Sequence, residues 1–134
     1  MTACFADTSY YIALLNRDDD SHQTVSGFTD GFEGRYVTTS AVLNELGNHL
    51  AYPPNRELFN NFLSALRIDA GVQIIHVDQR LFDAGATLYA ERPDQEWSLT
   101  DCISFVVMTE LSLTDALSLD HHFEQAGFRL VLSK

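Results

Sequence analysis

Lysine is almost missing from this chain. Lys134 is the only one, and the eight Lys and Arg residues together face 19 Asp and Glu, for a net charge of −11. A chain that acidic repels polyanions, which excludes tight nonspecific attachment to nucleic acid or to an anionic bilayer. Any phosphate chemistry would need bound cations, a basic partner, or both. Cysteine is also scarce: Cys4 and Cys102 lie 98 residues apart with no CxxC pairing. That excludes a disulfide framework and reads as two buried free thiols in a reducing cytosol. Long apolar runs are absent, since "FVVM" and "AVL" fall far short of the roughly 20 residues needed to span a bilayer. No basic segment followed by an apolar one opens the chain, so a cytoplasmic location with no membrane partner is expected.

What remains is the composition of an ordinary globular chain: 134 residues, 46% hydrophobic and 20% charged, with no internal repeat and no low-complexity linker. One domain is expected over residues 1–134, large enough to bury about two-thirds of its unfolded surface. Apolar periodicity alternates along it. "TACFA", "RYVTT", "VQIIHV", "DALSL" and "FRLVLS" read as strands. Between them, "TSYYIALLNR", "SAVLNELGNHLAY" and "DQRLFDAGATLYAER" read as helices, the last capped by Asp78. A turn at "DDDSH" precedes a further helix, and Pro53 and Pro54 stop another, after which Asn55 can cap "RELFNNFLSALRIDAG" with its Leu58, Phe62, Leu66 stripe. The segment Leu99 to Leu111 is apolar on nearly every face, which predicts a central helix, and "HHFEQAG" makes a short helix ending at Gly127. Strands alternating with helices predict a three-layer α/β/α fold around a parallel sheet.

Four acids stand out against that frame, because ligands of parallel sheets gather outside the carboxyl ends of the strands. Asp7 follows "TACFA" and Asp120 follows "DALSL"; Glu45 lies just over a turn into the helix after "RYVTT"; Asp101 opens the apolar helix. Each has a structural reading alone. Asp7 and Asp120 can cap the helices that follow them, Glu45 can be a solvated helix residue, and Ser98 with Asp101 has the spacing of a capping box. Four unrelated caps have no reason to converge, however. Converging carboxylates repel unless cations neutralise them. Mg²⁺ or Mn²⁺ are hard ions that take oxygen ligands, and a pair of them about 3.5–4 Å apart can drive phosphodiester hydrolysis.

"ADTSYYIALLNRDDDSH", "TTSAVLNELGNHL", "WSLTDCISFVVM" and "LSLDHHFEQAGF" resemble, in order and spacing, the four acidic blocks of PIN domains, and more narrowly those of VapC-like toxins and their solitary relatives. "SLTDC" followed 19 residues later by "DHHF" is the most specific part. The resemblance implies a five-stranded parallel sheet with helices on both faces. It also implies a Mg²⁺- or Mn²⁺-dependent endoribonuclease, a hydrolase acting on RNA as the toxin half of a toxin–antitoxin pair. Asp7, Glu45, Asp101 and Asp120 would be its catalytic, metal-binding acids, with the Ser9 hydroxyl in support. Partners implied are an RNA substrate, a cognate antitoxin protein and a second copy of the chain, since dimerisation is usual in the family. The alternative is a non-catalytic PIN-like module that binds RNA or protein.

Other groups read more plainly. Asp18, Asp19 and Asp20 lack the Gly and distal Glu of a calcium loop and suit a solvated turn in which Asp20 or Ser21 caps the next helix. Asp115 starts its strand and belongs to the opposite sheet edge. His121 and His122 lack zinc partners at ligand spacing; His122 suits packing or solvent, and His121 could meet a substrate phosphate. Trp97, Tyr10 and Tyr11 suit core or dimer packing better than base stacking, and Arg17 suits the surface better than a phosphate. A receiver-like signalling domain, phosphorylated at Asp78, would need a second acid beside Asp7 and a lysine near the last strand; Asp7 has no acidic neighbour there, and the only lysine, Lys134, is the final residue.

Overall fold

The computed structural model describes residues 2–132; Ser133, part of the expected last strand, and Lys134 lie outside them. Five short strands, β1 (Ala3–Ala6), β2 (Arg35–Thr39), β3 (Val72–Ile75), β4 (Asp115–Leu117) and β5 (Arg129–Leu130), form one sheet in the order β3-β2-β1-β4-β5. Every pairing is parallel, with Phe5 opposite both Val37 and Ala116. The seven helices are α1 (Thr8–Leu15), α2 (His22–Gly31), α3 (Ser40–His49), α4 (Asn55–Ile68), α5 (Gln79–Glu91), α6 (Leu99–Glu110) and α7 (His122–Gln125). The expected α/β alternation and the five-stranded parallel sheet are therefore present. None of the described helices is long and apolar enough to cross a membrane.

The central strand explains the sheet's place in the fold. Cys4, Phe5 and Ala6 of β1 are all buried, as a strand covered on both faces requires. Around it pack Leu46 of α3, Met108 of α6, Leu117 of β4 and Phe123 of α7, all without solvent contact. Phe105 of α6 gathers Trp97, Phe123 and Phe128 at ring-centroid distances of 5.1, 4.9 and 5.7 Å. Tyr10, Tyr11 and Trp97 are thus core residues. Both thiols are free and buried, and burial, with Asp115 beside it, pushes Cys4 up to about 11. Gly127 ends α7 at φ +99°, a backbone that glycine adopts without the steric cost of a Cβ.

The central helix α6 is buried from Asp101 through Phe105 and again at Val107 and Met108, and it lies close against α5. Gly85 of α5 makes that approach possible: a Cβ there would fall 2.4 Å from Ile103 Cγ1 and 3.2 Å from Ile103 Cα. Alanine would add about 1 kcal/mol of helix propensity, but overpacking a closed interface costs about 1–3 kcal/mol. Gly85→Ala is therefore expected to lower the urea midpoint with an unchanged m-value, and a midpoint at or above wild type would show that the two helices can part at no cost.

The structure departs from expectation at element ends. Asn55 is the first residue of α4 rather than its cap, and Pro54 at the N-cap position offers no side-chain acceptor. Of the expected α4 stripe only Leu66 is buried, and Leu58 is 39% exposed. Ser21 stands at the N-cap of α2 without a capping bond; the turn before it is closed by Asp19, whose Oδ1 accepts the Ser21 N–H at 2.8 Å. The last strand is only two residues long, and β3 stops before His76.

Candidate active site

The chain runs from β1 toward β3 on one side of the sheet and places β4 and β5 on the other, so the strand order reverses between β1 and β4. A crevice outside the carboxyl ends of the strands at such a reversal is where ligands collect. A cleft of about 410 Å³ opens there, and Asp7, Glu45, Asp101 and Asp120 all line it. Asp7 comes directly off β1, Glu45 from the second turn of α3, Asp101 from the first turn of α6, and Asp120 from the turn between β4 and α7. The Thr39 hydroxyl caps α3 by accepting the Val42 N–H at 3.1 Å.

Asp7 is 4% exposed and does not cap α1 with its side chain. Its Oδ2 accepts from the Ser118 hydroxyl at 3.0 Å and lies 3.3 Å from Ser9 Oγ. Burial, opposed by bonds from the Thr8 backbone and Ser118 and reinforced by the charges of Asp101 and Glu45, pushes its carboxyl up to about 7. Ser9 Oγ also accepts the Leu119 N–H at 2.9 Å, tying the end of β1 to the turn after β4. Ser118 accepts the Asp120 N–H at 3.0 Å, so one buried serine holds two of the four acids. The Thr8 hydroxyl donates to Glu45 Oε1.

Asp101 caps its helix and also lines the cleft. Ser98 Oγ accepts the Asp101 N–H and Asp101 Oδ2 accepts the Ser98 N–H, each at 3.0 Å, completing a capping box. The same carboxylate, 7% exposed, faces the cleft. Asp120 takes a partial cap, its Oδ1 accepting the His122 N–H at 3.0 Å.

The histidines differ from expectation. His122 belongs to the site: its Nδ1 lies 3.0 Å from Asp101 Oδ2 and 3.1 Å from Asp120 Oδ2. His121 remains 70% exposed and 3.7 Å from Asp120. Among the described residues, Asp120, His121 and His122 form the group whose potential ligand atoms lie within 4.8 Å of one another; the four acids surround the cleft at wider spacing. An oxygen-rich set spread across a cleft suits Mg²⁺ or Mn²⁺, which keep several of their waters. The donor chemistry fits such ions for a second reason: among the described residues no Arg lines the cleft to neutralise the acids.

The remaining candidates fall elsewhere. Asp115 pairs with Arg129 through two bonds of 3.0 Å at the amino ends of the strands. Asp78 caps α5, its Oδ1 accepting the Leu81 N–H at 2.9 Å. Arg17 is exposed in the turn after α1. Ser118 and Thr8 are site residues that spacing alone did not single out, whereas Ser98 was legible as the capping-box partner of Asp101; the position of Ser118 directly after β4 is the only sequence signal it carries.

The model of the PIN domain family matches residues 4–129. The chain is 28% identical over 127 residues to the 23S rRNA-specific endonuclease VapC20 in each of two strains of Mycobacterium tuberculosis, covering 92% of this chain and 94% of the relative. The crystal structure of M. tuberculosis VapC20, described as a Sarcin-Ricin loop cleaving toxin, superposes with a TM-score of 0.86 at 26% identity, over 94% of this chain and 96% of that one.

Proposed function

This chain belongs to the PIN domain family, and from that premise we propose that it is a metal-dependent endoribonuclease, the toxin of a toxin–antitoxin pair acting in the cytoplasm. The observation that carries the proposal is the set of carboxylates at the strand-order reversal: Asp7, Glu45, Asp101 and Asp120 come from four separate chain segments and line one cleft. Those four would hold Mg²⁺ or Mn²⁺. When bound, such ions supply the positive charge that this acidic cleft lacks and an activated water for attack on phosphorus.

The chain's own residues do the positioning. Ser118 and Ser9 hold Asp7 from the β4 side, the Ser98 backbone fixes Asp101, and Thr8 orients Glu45. The relatives act on 23S rRNA, which supports a structured ribosomal RNA as substrate here. A cognate antitoxin and a homodimer complete the proposal. Support for partners comes from apolar side chains left on the surface, among them Ile68 at 86% and Tyr52 at 78% exposure. A basic partner surface also compensates a chain in which Arg80, Arg92 and Arg129 are already tied to carboxylates.

The test is incubation of the purified protein with total RNA in Mg²⁺, Mn²⁺ or EDTA, with cut sites mapped by primer extension. Discrete cuts that need the divalent ion and fall within ribosomal RNA are expected. A non-catalytic binding module would instead retain RNA in every condition without cutting it.

A further inference from the structure

Resting on the carboxylate site proposed above, we infer that His122 is a positioning residue that holds Asp101 and Asp120 in register for a shared cation. His122 is the first residue of α7, 21 positions from Asp101 along the chain. Three contacts converge on it. Its Nδ1 sits 3.0 Å from Asp101 Oδ2 and 3.1 Å from Asp120 Oδ2, and its backbone N–H donates to Asp120 Oδ1 at 3.0 Å. One residue thus engages both oxygens of Asp120 and one of Asp101.

The geometry assigns the proton. Both groups facing Nδ1 are carboxylates, which accept, so Nδ1 is assigned the hydrogen, bonded to Asp101 Oδ2 with Asp120 Oδ2 within ion-pair distance. Without that donor, the two carboxylates repel with nothing between them to hold their orientation. With it, Asp101 is fixed from two sides, by His122 and by the Ser98 N–H at 3.0 Å. The imidazole is itself held, since its side chain is only 17% exposed and the neighbouring Phe123 is fully buried. A protonated Nδ1 leaves the ring's lone pair on Nε2, and it is through Nδ1–H that His122 meets the two acids and acts on the site. His121, pointing to solvent at 70% exposure, has no such role.

The test measures Mn²⁺ binding to the full chain without RNA, by calorimetry and by electron paramagnetic resonance, for wild type, His122→Ala and His122→Asn. Asparagine places an amide N–H near the position of Nδ1 and can replace the donor; alanine cannot. Removing a partner that orients ligands typically costs about 10–100-fold in metal affinity, so His122→Ala is expected to bind about 10-fold or more weakly and His122→Asn to return within about threefold of wild type. Circular dichroism on both variants separates this from loss of fold. Equal affinity in His122→Ala, or His122→Asn no better than alanine at intact fold, would overturn the inference. So would nitrogen hyperfine coupling in wild-type spectra that disappears in His122→Ala, because it would make His122 a ligand. If the wild type bound no Mn²⁺ at all, the carboxylate site itself would fall, and the inference with it.

Discussion

Asp7→Asn should make the metal-free protein more resistant to heat at pH 7.5 while removing its ability to cut RNA. Asp7 is nearly inaccessible, and burial, assisted by the charges of Asp101 and Glu45, raises its carboxyl from 3.8 to about 7. The sign follows from proton binding. Between about pH 4 and pH 7 the folded state keeps a proton that the unfolded state has released, so unfolding free energy falls as pH rises through that window. Below about pH 4 both states are protonated and the penalty is absent; above 7 it is complete, on the order of 4 kcal/mol. Asparagine cannot ionise, so the variant should lack this part of the decline, and at pH 7.5 its melting temperature in EDTA should exceed wild type by on the order of 10 °C. Saturating Mn²⁺ should raise the wild-type melting temperature and leave the variant nearly unmoved. A stability difference between wild type and Asp7→Asn that stays constant from pH 4 to 7 in EDTA would contradict this reading of Asp7.

The second large effect separates the two roles of Asp101. In Asp101→Asn the amide oxygen can still accept the Ser98 N–H, so the capping box survives and stability should change little. The anionic ligand is gone, however, and cleavage should fall by more than the about 100-fold that marks the upper range for loss of a supporting partner alone. Ser98→Ala reverses the pattern. It removes the acceptor of the Asp101 N–H and should cost about 1 kcal/mol of stability, while leaving Asp101 free to serve. If Ser98→Ala proved as inactive as Asp101→Asn, the capping geometry rather than the carboxylate charge would be what cleavage requires.

These two experiments return to a choice the sequence left open, and show where sequence reading succeeds. Strands flanked by helices of 3.6-residue periodicity made the parallel sheet legible, and the sheet's edge rule then placed Asp7 and Asp120 from their positions directly after strands. Glu45 was reachable because Thr39 defines where α3 begins. His122 was not reachable. Nothing local distinguishes it from a packing residue, because its partners are Asp101, from a different helix, and an acid two positions back. Whether Nδ1 meets both depends on how α7 lies against α6. Ser118 was missed for a related reason: its hydroxyl matters only because β4 pairs beside β1. The capping of α4 failed because Pro54, which has no side-chain acceptor, holds the N-cap position and Asn55 is already inside the helix. The α4 stripe was periodic yet half exposed, since periodicity shows that a face exists and not what covers it.

The most direct measurement of the four-carboxylate site compares cleavage of ribosomal RNA at fixed Mn²⁺ by Asp7→Asn, Glu45→Gln, Asp101→Asn, Asp120→Asn and Asp78→Asn, each shown to be folded. Asp78 comes off the same end of the sheet but caps α5, and asparagine caps equally well. Loss of cutting by more than about 100-fold in the first four variants, with Asp78→Asn close to wild type, is the expected pattern. Any one of the four cutting at the wild-type rate would contradict a site built from all of them.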